Sequence, residues 1–173
     1  DAFSQEMAKL SPIEKQVLVE RHLVSREHAA KGSGCATVMN RNQSVSIMIN
    51  EEDHLRIQSM RPGLQLMKAY QVLDKIDDEL ESCLPYAYDR QYGYLTACPT
   101  NLGTGLRASA MVHLPGLVLS EQINQTIQAA TKIGLAVRGL YGEGTEALAN
   151  LFQISNQTTL GQDEKSIIEH LDK

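Results

Sequence analysis

Between Cys98 and Ser109 the chain reads Cys-Pro-Thr-Asn-Leu-Gly-Thr-Gly-Leu-Arg-Ala-Ser, gathering a thiol, a proline-stiffened turn, two glycines and an arginine. Asn101, Gly103, Thr104 and Gly105 form flexible, small-residue backbone whose N–H groups can come close to an anion. Arg107 can grip a phosphate or carboxylate with two parallel hydrogen bonds. A cation held near Cys98 favours the thiolate, the reactive form of the side chain. The plainer alternative is a glycine-rich turn carrying a buried cysteine, since free cysteine is among the most buried residue types. That alternative suits any one of these residues better than it suits all of them together.

Such a loop needs elements to hold it. Residues 94–96 predict a short strand entering the loop, and 107–113 predict an extended segment leaving it. Pro115-Gly116 breaks that segment, and a helix follows to about residue 132. Upstream, Ser11-Pro12-Ile13-Glu14 is a capping box with proline at the first helical position, so a helix should run to about residue 23. Residues 1–10 show no period and read as an entry segment, and 25–33 read as a loop. Residues 35–39 and 44–49 flank Asn40-Arg41-Asn42-Gln43 as a hairpin, with Val45, Ile47 and Ile49 on one face. That arm delivers Asn50-Glu51-Glu52-Asp53-His54 to a strand end. Leu66, Tyr70, Leu73, Ile76 and Leu80 recur at helical spacing and predict a helix carrying Cys83. Strands at 135–140 and 148–154 are joined by Tyr141-Gly142-Glu143-Gly144-Thr145, and 163–171 predict a last helix. Strands and helices mix without regular alternation, which predicts an α+β fold: a mainly antiparallel sheet flanked by helices.

Composition narrows the function classes. The 173 residues are 42% hydrophobic, enough for one well-buried core, so residues 1–173 are expected to form a single, partial domain. A net charge of −5 without a basic tract argues against nucleic acid as a partner. No apolar run approaches the ~20 residues of a membrane span. Three cysteines, Cys35, Cys83 and Cys98, have no paired spacing, which fits a reduced, cytoplasmic protein. No second histidine stands at ligand spacing from His54, so no protein-held metal is expected.

The Cys98–Ser109 run resembles the cysteine loop of the ATP:guanidino phosphotransferases, and the chain is most similar to their bacterial protein-arginine kinase branch. Three more segments agree in order and spacing: Asn50 to Arg56, Val137 to Glu143, and Gln153 to Gln157. The likeness runs from about Leu10 to Gly161. It implies a glutamine-synthetase-type catalytic domain and transfer of a phosphoryl group from ATP to a guanidinium, with arginine side chains of proteins as acceptors. Such transfer is mostly positioning and charge neutralisation. A protonated guanidinium is a poor nucleophile, so carboxylates must hold it and accept its proton. By resemblance, Glu52 is the catalytic base, Glu143 the second carboxylate gripping the guanidinium, and Cys98 lies against it. Arg56, Arg107 and Arg138 match arginines that bind the nucleotide phosphates. Magnesium is expected to arrive with ATP, held mainly by phosphates and water.

Two features depart from the family pattern. A histidine that contacts adenine in the creatine and arginine kinases is Met111 here, with His113 two positions on. The family also draws two phosphate-binding arginines from an upstream Ser-x-Arg-x-Arg segment, and this chain contains no Arg-x-Arg. An alternative of another class therefore stays open: a catalytically incompetent domain that binds regulatory protein partners in a stress-response complex. Gly103 to Ala108 also fits a dinucleotide fingerprint, but that motif needs a long helix beginning at its glycines. A cysteine hydrolase using Cys98 with His54 or His113 leaves the arginines and Glu143 without a task.

Overall fold

The structure, a computed structural model, describes residues 2–139 and 148–173, and the chain divides into two compact units meeting in sequence at Tyr86 and Ala87. Among the described residues every strand pairing is antiparallel, and helices flank the sheets, an α+β arrangement.

The first unit holds a four-stranded sheet in the order β1-β2-β3-β4, formed by Ala2–Glu6, Ala36–Asn40, Val45–Ile49 and Leu55–Ser59. Helix α1 (Pro12–Glu20) starts as its sequence dictates. The Ser11 side chain accepts from the Glu14 amide, and the Glu14 carboxylate accepts from the Ser11 amide at 2.8 Å. The segment expected to be a loop instead contains helix α2 (Arg26–Ala30), capped by Ser25. Five residues are too few to show a period. Residues expected to be an unstructured entry are strand β1, mostly exposed and therefore without alternation.

The hairpin of β2 and β3 forms where expected, and Asn40 Oδ1 closes its turn by accepting from the amides of Ser44 and Val45. The buried face is the opposite of the apolar one. Val45, Ile47 and Ile49 are half-buried, while Ser46 and Met48 are fully buried with Thr37 and Met39 across the ladder. The core gathers Leu18, Leu23, Val24, Met39 and Met48. Its polar members have partners: Ser46 Oγ donates to the Leu23 carbonyl at 2.7 Å, and Thr37 Oγ1 lies 3.1 Å from His28 Nε2. Helix α3 (Leu66–Glu81) packs along β4. It ends before Cys83, which is exposed rather than carried on the helix.

The second unit opens with a small hairpin of β5 (Tyr88–Asp89) and β6 (Gly93–Tyr94). A three-stranded sheet follows in the order β7-β9-β8, from Ser109–His113, Leu151–Asn156 and Leu135–Arg138. Pro115 ends β7 and also starts helix α4 (Pro115–Leu119), since it fits the first helical turn. Helix α5 (Ile123–Lys132) packs on β8, and α6 (Glu164–Asp172) packs on β9. Phe152, Ile167, Ile168 and Leu135 are buried here.

Candidate active site

In the first unit, strand β3 ends at Asn50, whose φ of 59° reverses the chain. Asparagine tolerates this left-handed conformation better than most residues. Its amide donates to the His54 carbonyl at 2.9 Å, closing the turn, and its side chain donates to the Gly34 carbonyl at 2.7 Å. Lys31 Nζ donates to the carbonyls of Asn50 and Glu51, tying α2 to the same turn.

Of the three adjacent acids, Glu51 turns inward and is 8% exposed, whereas Glu52 is exposed. One oxygen of Glu51 accepts from Ser25 Oγ at 2.7 Å, and the other accepts from the Glu52 amide at 2.9 Å. Arg56, exposed on β4, forms an ion pair with the same carboxylate at 3.5 Å. Burial pushes the Glu51 carboxyl up, but the Glu52 amide, the Ser25 hydroxyl and Arg56 outweigh it and hold the group below its usual value. An ionised carboxylate is thus locked beneath the exposed Glu52, with a guanidinium beside it. The sequence singled out Glu52 and Arg56 but gave no role to Glu51 or Ser25.

In the second unit the cysteine loop is a tightly bonded structure. A 3-10 turn over Pro99–Asn101 follows Cys98, whose Sγ lies 2.9 Å from Thr100 Oγ1. The Asn101 amide donates to the Cys98 carbonyl at 3.0 Å, the Gly103 amide to Tyr94 at 3.3 Å, and the Thr104 amide to Thr159 at 3.1 Å. The first of these bonds closes a turn within the loop, and the other two tie it to the segments on either side. Gly103 and Gly105 are required for shape, with φ of 106° and 62°.

The loop's outer supports were missed by the sequence reading. Asn156 Oδ1 accepts from the Ala108 amide at 2.9 Å, and its Nδ2 donates to the carbonyls of Leu106 and Thr158. Thr159 Oγ1 donates to Leu102 O at 2.7 Å and lies 3.0 Å from Thr100 O. Asn156 ends β9, where Ser155, fully buried, accepts from Arg138 Nη1 at 3.2 Å. Gln153 on the same strand donates to Ser109 at 3.0 Å. One strand end therefore fixes both Arg138 and the cysteine loop. The segment 153–157 stood out in the sequence as a motif, yet its chemistry is structural and only tertiary contacts reveal it. Arg107 is exposed on the extended segment entering β7. Glu143 lies outside the described residues.

Antiparallel sheets flanked by helices, a buried carboxylate paired with an arginine in the first unit and a braced cysteine loop in the second fit the α+β phosphotransferase class of the guanidino kinases. The structure of the duplicated taurocyamine kinase of Schistosoma mansoni with bound transition-state-analogue components matches it with a TM-score of 0.86, at 28% identity over 99% of this chain and 25% of that one. Lombricine kinase matches with a TM-score of 0.80, at 26% identity, covering 99% of this chain and 51% of that one. The model of the ATP:guanido phosphotransferase C-terminal catalytic domain matches residues 3–173, and the chain belongs to this family. Among similar curated proteins, the protein-arginine kinase of Moorella thermoacetica is 55% identical over 167 residues, 96% of this chain and 48% of the relative. That of Geobacillus sp. strain WCH70 is 56% identical over 165 residues, 95% of this chain and 46% of the relative. The chain thus spans about half the length of these relatives.

Proposed function

We propose that the protein containing this chain transfers the γ-phosphoryl group of ATP to the guanidinium of arginine side chains in proteins, and that both units belong to one catalytic domain. The observation that carries the reading is the Glu51 carboxylate, buried and ionised beneath Glu52 and paired with Arg56. It gives an exposed carboxylate a fixed backbone, as a base abstracting a guanidinium proton needs. Glu52 takes that proton as the nitrogen attacks phosphorus, and Glu143 is the second carboxylate that grips the guanidinium. Cys98 rests against the acceptor. Arg56, Arg107 and Arg138 neutralise the phosphate oxygens, where charge spreads in the transition state.

Among the described residues no three His, Cys, Asp or Glu side chains group as a metal cage. Magnesium arriving with ATP would be held mainly by phosphates and water, and would supply charge neutralisation there. The identity to protein-arginine kinases supports arginine residues of proteins, rather than a small guanidine, as the acceptors. Among the described residues no helix is long and apolar enough to cross a membrane.

The test is incubation of the full-length protein with ATP, magnesium and an arginine-rich protein, followed by assay of acid-labile phosphate on arginine. Label at arginine that disappears in the Glu52→Gln enzyme supports the reading. A folded protein that binds ATP and leaves arginine unlabelled overturns it and favours the partner-binding alternative.

A further inference from the structure

We propose that Ser25, at the start of α2, is a positioning residue for the phosphoryl-transfer site, acting through Glu51 on Glu52 and Arg56. The inference rests on the reading of Glu52 as the base.

The Ser25 hydroxyl does two jobs at once. Its oxygen accepts from the His28 amide at 2.9 Å, which caps α2, and its proton goes to Glu51 Oε1 at 2.7 Å. Capping alone needs an acceptor; holding Glu51 needs a donor. A hydroxyl supplies both. The Ser25 amide donates to Met48 Sδ at 3.3 Å, so the residue is anchored to the buried face of β3.

Glu51 cannot stand without such donors, because a buried carboxylate with unfilled oxygens is costly. Its Oε1 takes the Ser25 proton and the Arg56 pair, and its Oε2 takes the Glu52 amide. Without Ser25, Glu51 is held only by the two groups it is meant to position, and it can rotate toward Arg56 or leave the Glu52 amide. His28 on α2 and Lys31 just beyond its end are the other titratable groups facing this carboxylate, with Arg56 on β4. Lys31 bonds carbonyls, and His28 turns Nε2 toward Ala36 and Thr37. Neither replaces the missing proton on Oε1.

The test separates the two jobs in the full-length enzyme, using an arginine-rich protein as acceptor. Ser25→Asn and Ser25→Asp are nearly the same size and both cap helices well, but only Asn keeps a proton to give. The Asn enzyme is expected within about threefold of wild-type kcat, and the Asp enzyme at least about tenfold below it. The Asp enzyme should regain part of its rate from about pH 8 to about pH 6, because two facing carboxylates share a proton once one is protonated. A residue needed only for folding produces no such recovery. Equal rates and equal pH profiles for Asn and Asp overturn the proposal.

If the Asp variant does not fold, Ser25→Gly decides the matter, since glycine caps nearly as well as serine and has no hydroxyl. A loss of about tenfold in kcat supports the proposal, and a rate within about twofold of wild type overturns it. Glu52→Gln in the same assay keeps the two readings apart. Wild-type turnover in that variant sinks the assignment of the base, whatever the Ser25 series shows.

Discussion

Gly103 and Thr159 touch backbone to backbone: a methyl group on Gly103 would stand 2.5 Å from the Thr159 carbonyl oxygen and 2.9 Å from the Leu160 Cα. On the other side, a methyl on Gly93 would stand 2.6 Å from the Gly103 oxygen. Three stretches of main chain are layered with no room for a side chain between them. The cysteine loop owes its shape to that layering and to the φ of 106° at Gly103.

Gly103→Ala should therefore destabilise the second unit by about 2 kcal/mol or more, since both the conformation and the contact forbid a Cβ. Denaturant unfolding measures the loss. The alkylation rate of Cys98 should change with it, while that of the exposed Cys83 stays the same. A stability equal to wild type would mean that the loop does not depend on this contact.

Glu52→Gln in the full-length enzyme should lower kcat by roughly 10² or more, the range for losing a positioned base. The dissociation constant for ATP should hardly move, because the role proposed for this carboxylate is toward the acceptor. Steady-state kinetics beside nucleotide titration distinguishes the two quantities. Parallel losses in both would assign Glu52 to the nucleotide.

Arg138→Gln should do the reverse. Removing the charge-assisted phosphate contact proposed for Arg138 is expected to weaken ATP binding by about tenfold. Calorimetric titration of the full-length protein reads it directly. Unchanged affinity would remove Arg138 from the phosphate site and leave its bond to Ser155 as a structural one.

Acid should destabilise the first unit in two stages. Burial holds the His28 pKa below its ordinary value, against the opposing pull of the Ala36 carbonyl and Glu51. Nδ1 is buried with no partner. The unfolded chain takes up a proton near pH 6.5 while the folded one still refuses it. Stability contributed by neutral His28 is then complete above about pH 6.5 and is lost as pH falls toward the folded value. Glu51, also held low, contributes above the ordinary carboxylate value of about 4.3 and is lost as pH falls through its own lower pKa. Urea midpoints across this range should show both stages. His28→Gln should flatten the first while keeping the second, and an unchanged first stage would contradict the assignment.

Local signals in the sequence foretold local structure. The capping box at Ser11 and Glu14 forms with both of its hydrogen bonds, and the apolar period from Leu66 to Leu80 makes α3. The hairpin of β2 and β3 was legible, but its buried face was not. Alternation selects the more apolar face, and here the core side carries Thr37 and Ser46, whose polarity is neutralised by partners distant in sequence. The candidate site was legible where a residue's type announces chemistry, as with Cys98, Glu52 and the arginines. Ser25, Asn156 and Thr159 announce nothing. Their importance lies in bonds to residues 26, 48 and 57 positions away. Glu51 and Glu52 are the same letter in sequence, and only burial separates them.

The bond from Ser25 to Glu51 also has a bearing on when competence arises as the chain folds. Contacts between distant residues carry a loop-closure cost and form late relative to helices and tight turns. Helix α1 and the β2–β3 hairpin can appear from short-range contacts alone, but the acidic turn acquires its shape only once α2 has docked on the sheet. A partly folded chain then has its helices and its hairpin without the Glu51 carboxylate fixed in place. Any condition that loosens the docking of α2 should reach the chemistry before it reaches the bulk of the secondary structure.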